Sequence, residues 1–245
     1  MHSMSNNILF VFEGEKTENQ IVTNLQKVFF ESENTIITCV YGGEIYQIYD
    51  EISKDEDLDT FNLIKGRTQN IDLLKDYNRN DFAEIYMFFD YDGQSRIADD
   101  NKLKELLDFF NEETDKGKLY ISYPMVESLK HIICHKSFKD LKVRCKEKID
   151  YKELVSKECL KDLQNFTIYK IDTWKLLIDT HLKKMSYIVC DLFKFPHEII
   201  IQSTIFSKQI EKYISQNPSV IAILSAFPVF LHDYYGNSKT KEMIS

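Results

Sequence analysis

The chain has 245 residues, 43 % hydrophobic and 13 % aromatic, with only 7 Gly and 4 Pro. That composition excludes a disordered or repeat-built chain and allows one large domain, or an α/β domain with a helical appendage. The formal net charge of −8, from 39 acidic and 31 basic residues, disfavours sequence-blind nucleic-acid binding by overall charge, so such a contact needs a basic patch, metal ions or a partner.

The N-terminal "MHSMSNN" is polar and lacks an apolar segment of signal-peptide type. Residues 8–12, "ILFVF", form a continuous apolar run of the kind seen in parallel strands buried on both faces. "TENQ" then opens a helix, with Thr17 as N-cap and Gln20 completing a capping-box pattern. Ile21, Val22, Leu25, Val28 and Phe29 follow at helical spacing. A second strand is expected over residues 36–41, ending at Gly42-Gly43, with a short helix over 44–53. "KDEDLDT" reads as a solvated loop, and residues 61–77 as a further helix.

"EIYMFFD", residues 84–90, is the third strand, followed by a helix marked by Leu103, Leu106, Leu107 and Phe110. "KLYISY", residues 118–123, is the fourth, ending at Pro124. The alternation predicts an α/β fold: a mostly parallel sheet flanked by helices, with sites beyond the carboxyl ends of the strands. After residue 125 no strand is expected, only helices, one of them carrying Trp174. This places an α/β domain over 1–135 and a helical accessory region, packed on it, over 136–245. The longest apolar stretch, "SVIAILSAFPVFL" at 219–231, is too short to span a bilayer and reads as a core helix followed by a kink at Pro228. Phe195-Pro196, Phe227-Pro228 and an exposed Tyr234-Tyr235 complete the aromatic features of this region, more often packing than partner binding. The odd and scattered Cys39, Cys134, Cys145, Cys159 and Cys190 read as reduced core thiols of a cytoplasmic protein without a membrane segment.

Carboxylates follow three of the four strands: Glu13 the first, Asp90 and Asp92 the third, Glu127 the fourth. Convergence on one rim would suit a hard divalent cation, Mg²⁺ or Mn²⁺, which takes oxygen ligands and keeps several waters. Two such ions would stabilise both attacking and leaving oxygens of a phosphodiester. Against this, any single acid at a loop start is more often a solvated capping residue. The Asp-x-Asp-Gly at a strand end is the more specific signal, because the second acid and the glycine imply a tight turn.

"ILFVFEGEKTE" with "YMFFDYDG" resembles the Toprim domain, which carries a glutamate after its first strand and Asp-x-Asp after its third. The Glu-Gly-x-x-Thr-Glu form is similar to RloB-like and OLD-type Toprim nucleases, and Ser122, Pro124 and Glu127 in "SYPMVES" match a further pattern of that group. The resemblance spans residues 8–135. It implies a metal-dependent endonuclease cutting DNA or RNA, including tRNA, as the toxic effector of an anti-phage, abortive-infection system. It also implies control by an ABC- or OLD-type ATPase partner, as in PARIS-type systems, and allows a homodimer. Under it Asp90 and Asp92 hold metal, Glu127 or Glu18 is a further ligand, and Glu13 binds metal or acts as general base. Gly14 lets the backbone approach a phosphate. No general acid stands out. Lys16 and His131 are candidates, and His131, four residues after Glu127, would share a helix face with it; such a histidine is more often a hydrogen-bonding partner than a catalyst.

The segment 136–152, with six lysines and Arg144 against three acids, reads either as a solvated helical face or as a phosphate-tracking patch in which Lys142 and Arg144 bind substrate. Rival readings are a HAD-type phosphatase with Asp90 as nucleophile, which leaves "FEGEKTE" unexplained, an Asp-x-Asp glycosyltransferase, and a catalytically silent docking module.

Overall fold

A computed structural model describes residues 7–30, 35–54 and 59–245. The chain gathers into two compact units, Met1–Phe89 with Asn101–Leu119, and Asp90–Asp100 with Tyr120–Ser245.

The first unit is built on β1 (Asn7–Phe12), α1 (Lys16–Phe29), β2 (Thr35–Val40), α2 (Ile45–Ile52), α3 (Thr60–Lys65), α4 (Ile71–Leu74), β3 (Glu84–Asp90), α5 (Asp100–Phe109), β4 (Asn111–Glu112) and β5 (Gly117–Ser122). The sheet order is β2-β1-β3-β5-β4. β1 pairs in parallel with both β2 and β3, placing Phe12 level with Val40 and Phe88, whereas β4 returns antiparallel on β5. The expected mostly parallel sheet flanked by helices is therefore present. The apolar runs are strands because each residue of β1 from Ile8 to Phe12 is buried, as required when helices cover both sheet faces. Phe10 and Phe12 each lie 5.3 Å from the Phe88 ring. The last residue of β3 and the last three of β5 are grouped with the second unit.

Two local expectations are corrected here. α1 starts at Lys16 behind Glu15, with no side-chain cap, so the Thr17–Gln20 capping box does not form. Buried Glu18 instead puts an acid in the first turn, where it complements the exposed N–H groups. The single helix expected over 61–77 is two short ones. Between them Asn70 donates to the carbonyls of Val40 and Ile64 at 2.8 Å and accepts from the Val40 N–H at 3.1 Å, bonds that compete with helix continuation. The loop expected at 54–60 lies largely outside the described residues.

The second unit continues with β6 (Lys142–Arg144), α6 (Tyr151–Glu158), α7 (Ile171–Cys190), α8 (Gln202–Gln209), β7 (Val220–Ala222) and α9 (Ala226–Ile244). α7 buries Trp174, Leu177, Ile178, Leu182, Met185 and Ile188, a stripe at helical spacing. It stops where Asp191 turns left-handed at φ 62°. β6 and β7 pair antiparallel, correcting the expectation of helices alone after residue 125. "SVIAILSAFPVFL" is thus not one helix: β7 forms its first part and α9 begins at Ala226. Pro228 sits in the first turn of α9, where a missing N–H costs no helical bond. The non-helical point of α9 is Gly236. Tyr234 and Tyr235 are half-buried, their ring centroids 5.0 Å apart, rather than exposed. All five cysteines are free; Cys39, Cys145 and Cys159 are buried, but Cys134 and Cys190 are exposed rather than in the core. Among the described residues no helix is long and apolar enough to cross a membrane.

Candidate functional site

The expected site residues divide between the two units. In the first, Glu13 follows β1 and is half-buried. Its N–H donates to the Phe88 carbonyl at 3.2 Å, and its carbonyl accepts from Gly42 at 3.3 Å. The buried Glu18 carboxylate folds back toward the loop: a β-carbon at Gly14 would lie 3.4 Å from its Oε1. A side chain at 14 would press on that carboxylate. Glu15 and Lys16 point to solvent.

In the second unit, Asp90 ends β3 and is 8 % exposed. The chain then turns sharply. The Tyr91 N–H donates to the Ser122 carbonyl at 3.0 Å, and the Asp92 N–H to that of Pro124 at 3.3 Å. Asp92 adopts φ 40°, a left-handed conformation that costs an L-residue energy and is tolerated where surrounding bonds impose it. Asp92 is half-buried and its Oδ1 accepts from Gln94 at 3.2 Å. The tight turn expected from Asp-x-Asp-Gly is therefore formed. The Cys145 carbonyl stands against Gly93, and Lys146 donates to both Asp100 oxygens at 2.9 Å. The basic segment is thus seated beside the acidic loop. It is not helical at Lys142 and Arg144, which are exposed on one face of β6 with half-buried Val143 between them; the helical face expected there is corrected to a strand.

Glu127 lies in a 3-10 turn, Val126–Leu129, and is 5 % exposed. Its Oε2 is buried with no hydrogen-bond partner, and its Oε1 is 3.6 Å from Lys152 Nζ. The α-helical face that Glu127 was expected to share with His131 does not exist. His131 is fully buried beyond the turn, where Nδ1 lies 3.0 Å from Tyr151 Oη and Nε2 lies 3.2 Å from Glu158 Oε2. With a carboxylate at Nε2, that nitrogen carries the proton in the neutral ring, and Nδ1 accepts from the tyrosine. Burial lowers the His131 pKa, against the bond and charge of Glu158. Burial also raises the Tyr151 pKa well above its usual value, and Glu127, Asp90 and Glu158 add to the rise.

Tyr151, Lys152 and Glu158 were not identified from sequence. "DYKEL" signals a helix start after Asp150, but no local pattern reveals what that helix meets. Among the described residues no group of three or more His, Cys, Asp and Glu side chains is arranged to hold a metal ion. No family model, curated protein or solved structure matches this chain.

Proposed function

We infer that this protein is a Mg²⁺- or Mn²⁺-dependent nuclease. The observation that carries the reading is Glu127, a buried carboxylate with one oxygen unpartnered. Leaving a buried polar oxygen unsatisfied is costly, and such a group in a native protein calls for a ligand or a chemical role. The second support is the resemblance of "FEGEKTE", "FFDYDG" and "SYPMVES" to RloB-like and OLD-type Toprim nucleases.

The chemistry of these candidates, carboxylate oxygens with the Glu127 Oε2 unpartnered, is that of ligands to a hard cation. Asp90, Asp92 and Glu127 would hold the ion. When bound, the ion polarises the phosphoryl oxygen and offsets the charge that develops there. Gly14 and Lys16, and Lys142 and Arg144 on β6, are assigned to backbone phosphates. The net charge of −8 suits an effector held inactive by an ATPase partner and released on infection, rather than a free nucleic-acid binder.

The test is incubation of purified protein with plasmid DNA and total RNA in Mg²⁺, Mn²⁺ or EDTA. Cleavage should require the metal and fall at least about 100-fold in Asp90→Asn and Glu127→Gln. Undiminished cleavage by both variants rules out the assignment.

A further inference from the structure

Both ends of α6 are tied to one imidazole. Tyr151, its first residue, and Glu158, its last, occupy the two ring nitrogens of His131. His131 follows the turn that carries Glu127 by two residues, so this clamp seats the start of α6 against that turn. Lys152, second in α6, is therefore presented to Glu127 by its backbone position. Its side chain is 64 % exposed, and Nζ stands 3.6 Å from Glu127 Oε1. That distance exceeds a hydrogen bond, and a pair with one member so exposed is held weakly. A lysine ammonium is a compact charge on a flexible stem with three donors. The buried carboxylate is thus served by a loosely held cation open to solvent.

We propose that Lys152 is a substrate-phosphate ligand whose availability is set by the charge at Glu127. While Glu127 has no other cation near it, the carboxylate biases the ammonium toward itself. With a divalent ion held at Glu127, the Lys152 ammonium would be released outward to a nucleic-acid phosphate. Cation and polyanion then favour each other's binding, and the coupling is reciprocal. This rests on the reading of the protein as a cation-dependent nuclease. His131 is a positioning residue here, acting through the placement of α6.

Fluorescence anisotropy of labelled single-stranded DNA and RNA oligonucleotides, in Ca²⁺ or in EDTA, tests the coupling. At matched ionic strength, wild type should bind about tenfold tighter in Ca²⁺. Glu127→Gln should bind at the tighter level already in EDTA, because its amide no longer retains the ammonium. Lys152→Met should bind weakly in both buffers, with a salt dependence smaller by about one phosphate contact. Lys152→Arg should keep the tight level. Wild-type affinity and salt dependence in Lys152→Met, or Glu127→Gln binding no tighter than wild type in EDTA, overturns the proposal. Calorimetric titration of Ca²⁺ and Mn²⁺ into the protein alone separates the two ideas. Absence of cation binding defeats the nuclease reading itself, whereas cation binding with an unaffected Lys152→Met defeats only the coupling.

Discussion

A β-carbon at residue 93 would lie 2.4 Å from the Tyr91 ring and 2.7 Å from the Cys145 carbonyl, so only glycine lets the acidic loop and the basic segment approach this closely. Gly93→Ala should destabilise the protein by about 1–3 kcal/mol through overpacking, read as a lower urea midpoint at unchanged m-value. A midpoint equal to wild type would show that Tyr91 or the Cys145 backbone yields freely. His181 is a second residue whose surroundings dictate its state. Its Nε2 donates to the Leu129 carbonyl and its Nδ1 accepts from the Ser225 N–H, both at 3.2 Å. A second ring proton would face another N–H. Burial pushes its pKa down to about 3 from 6.5, with Lys184 and His135 adding to the fall. The folded state therefore binds fewer protons than the unfolded chain between those values. Stability should be full above pH 6.5 and decline as pH falls toward 3, by up to about 1.4 kcal/mol per unit for this group. Urea midpoints from pH 7 to pH 4 check the sign, and His181→Gln, which keeps one donor and one acceptor, should flatten the acid decline.

Among the elements, the segment between the turn at 138–140 and β6 depends on one buried cation. Lys184 of α7 donates to the carbonyls of Phe138 at 3.0 Å, Lys139 at 2.6 Å and Leu141 at 2.9 Å. All three ammonium donors are used, although burial pushes the lysine pKa down to about 7. Lys184→Met keeps the apolar stem and removes three donors; the Phe138 and Leu141 carbonyls retain the N–H groups of Leu141 and Ile223, whereas that of Lys139 loses its donor, so it should cost about 1–3 kcal/mol. Hydrogen exchange should report faster opening of residues 138–146 than of α7; uniform loosening would contradict this localisation. The strands of this region show why sequence reading stopped where it did. β3 is seven residues long, and its apolar run with a terminal acid announces a buried strand. β6 and β7 have three residues each. Lys142 and Arg144 are submerged in a lysine-rich stretch, and Val220–Ala222 opens an apolar run whose period distinguishes neither strand nor helix. Their pairing depends on partners nearly eighty residues away.

At the scale of the molecule, the carboxylates at strand ends were legible because topology places such ends where sheet proteins bind ligands. Asp90, Asp92 and Glu127 could be marked in that way. Tyr151, Lys152 and the role of His131 could not, since each acquires meaning only by meeting another element. The same division governs the chemistry: sequence offers the acids, and folding decides which of them keeps an oxygen unsatisfied. Loss of cleavage in Asp90→Asn and Glu127→Gln, with circular dichroism unchanged, would attribute the defect to the site and not to the fold.

The clamp at His131 has a mechanical corollary. An eight-residue helix has little autonomous tendency to persist in water, and α6 has its first and last side chains fastened to the same ring. Such a segment has no free end from which to unravel gradually. Loss of the imidazole would therefore remove the side-chain partners of both termini in one event.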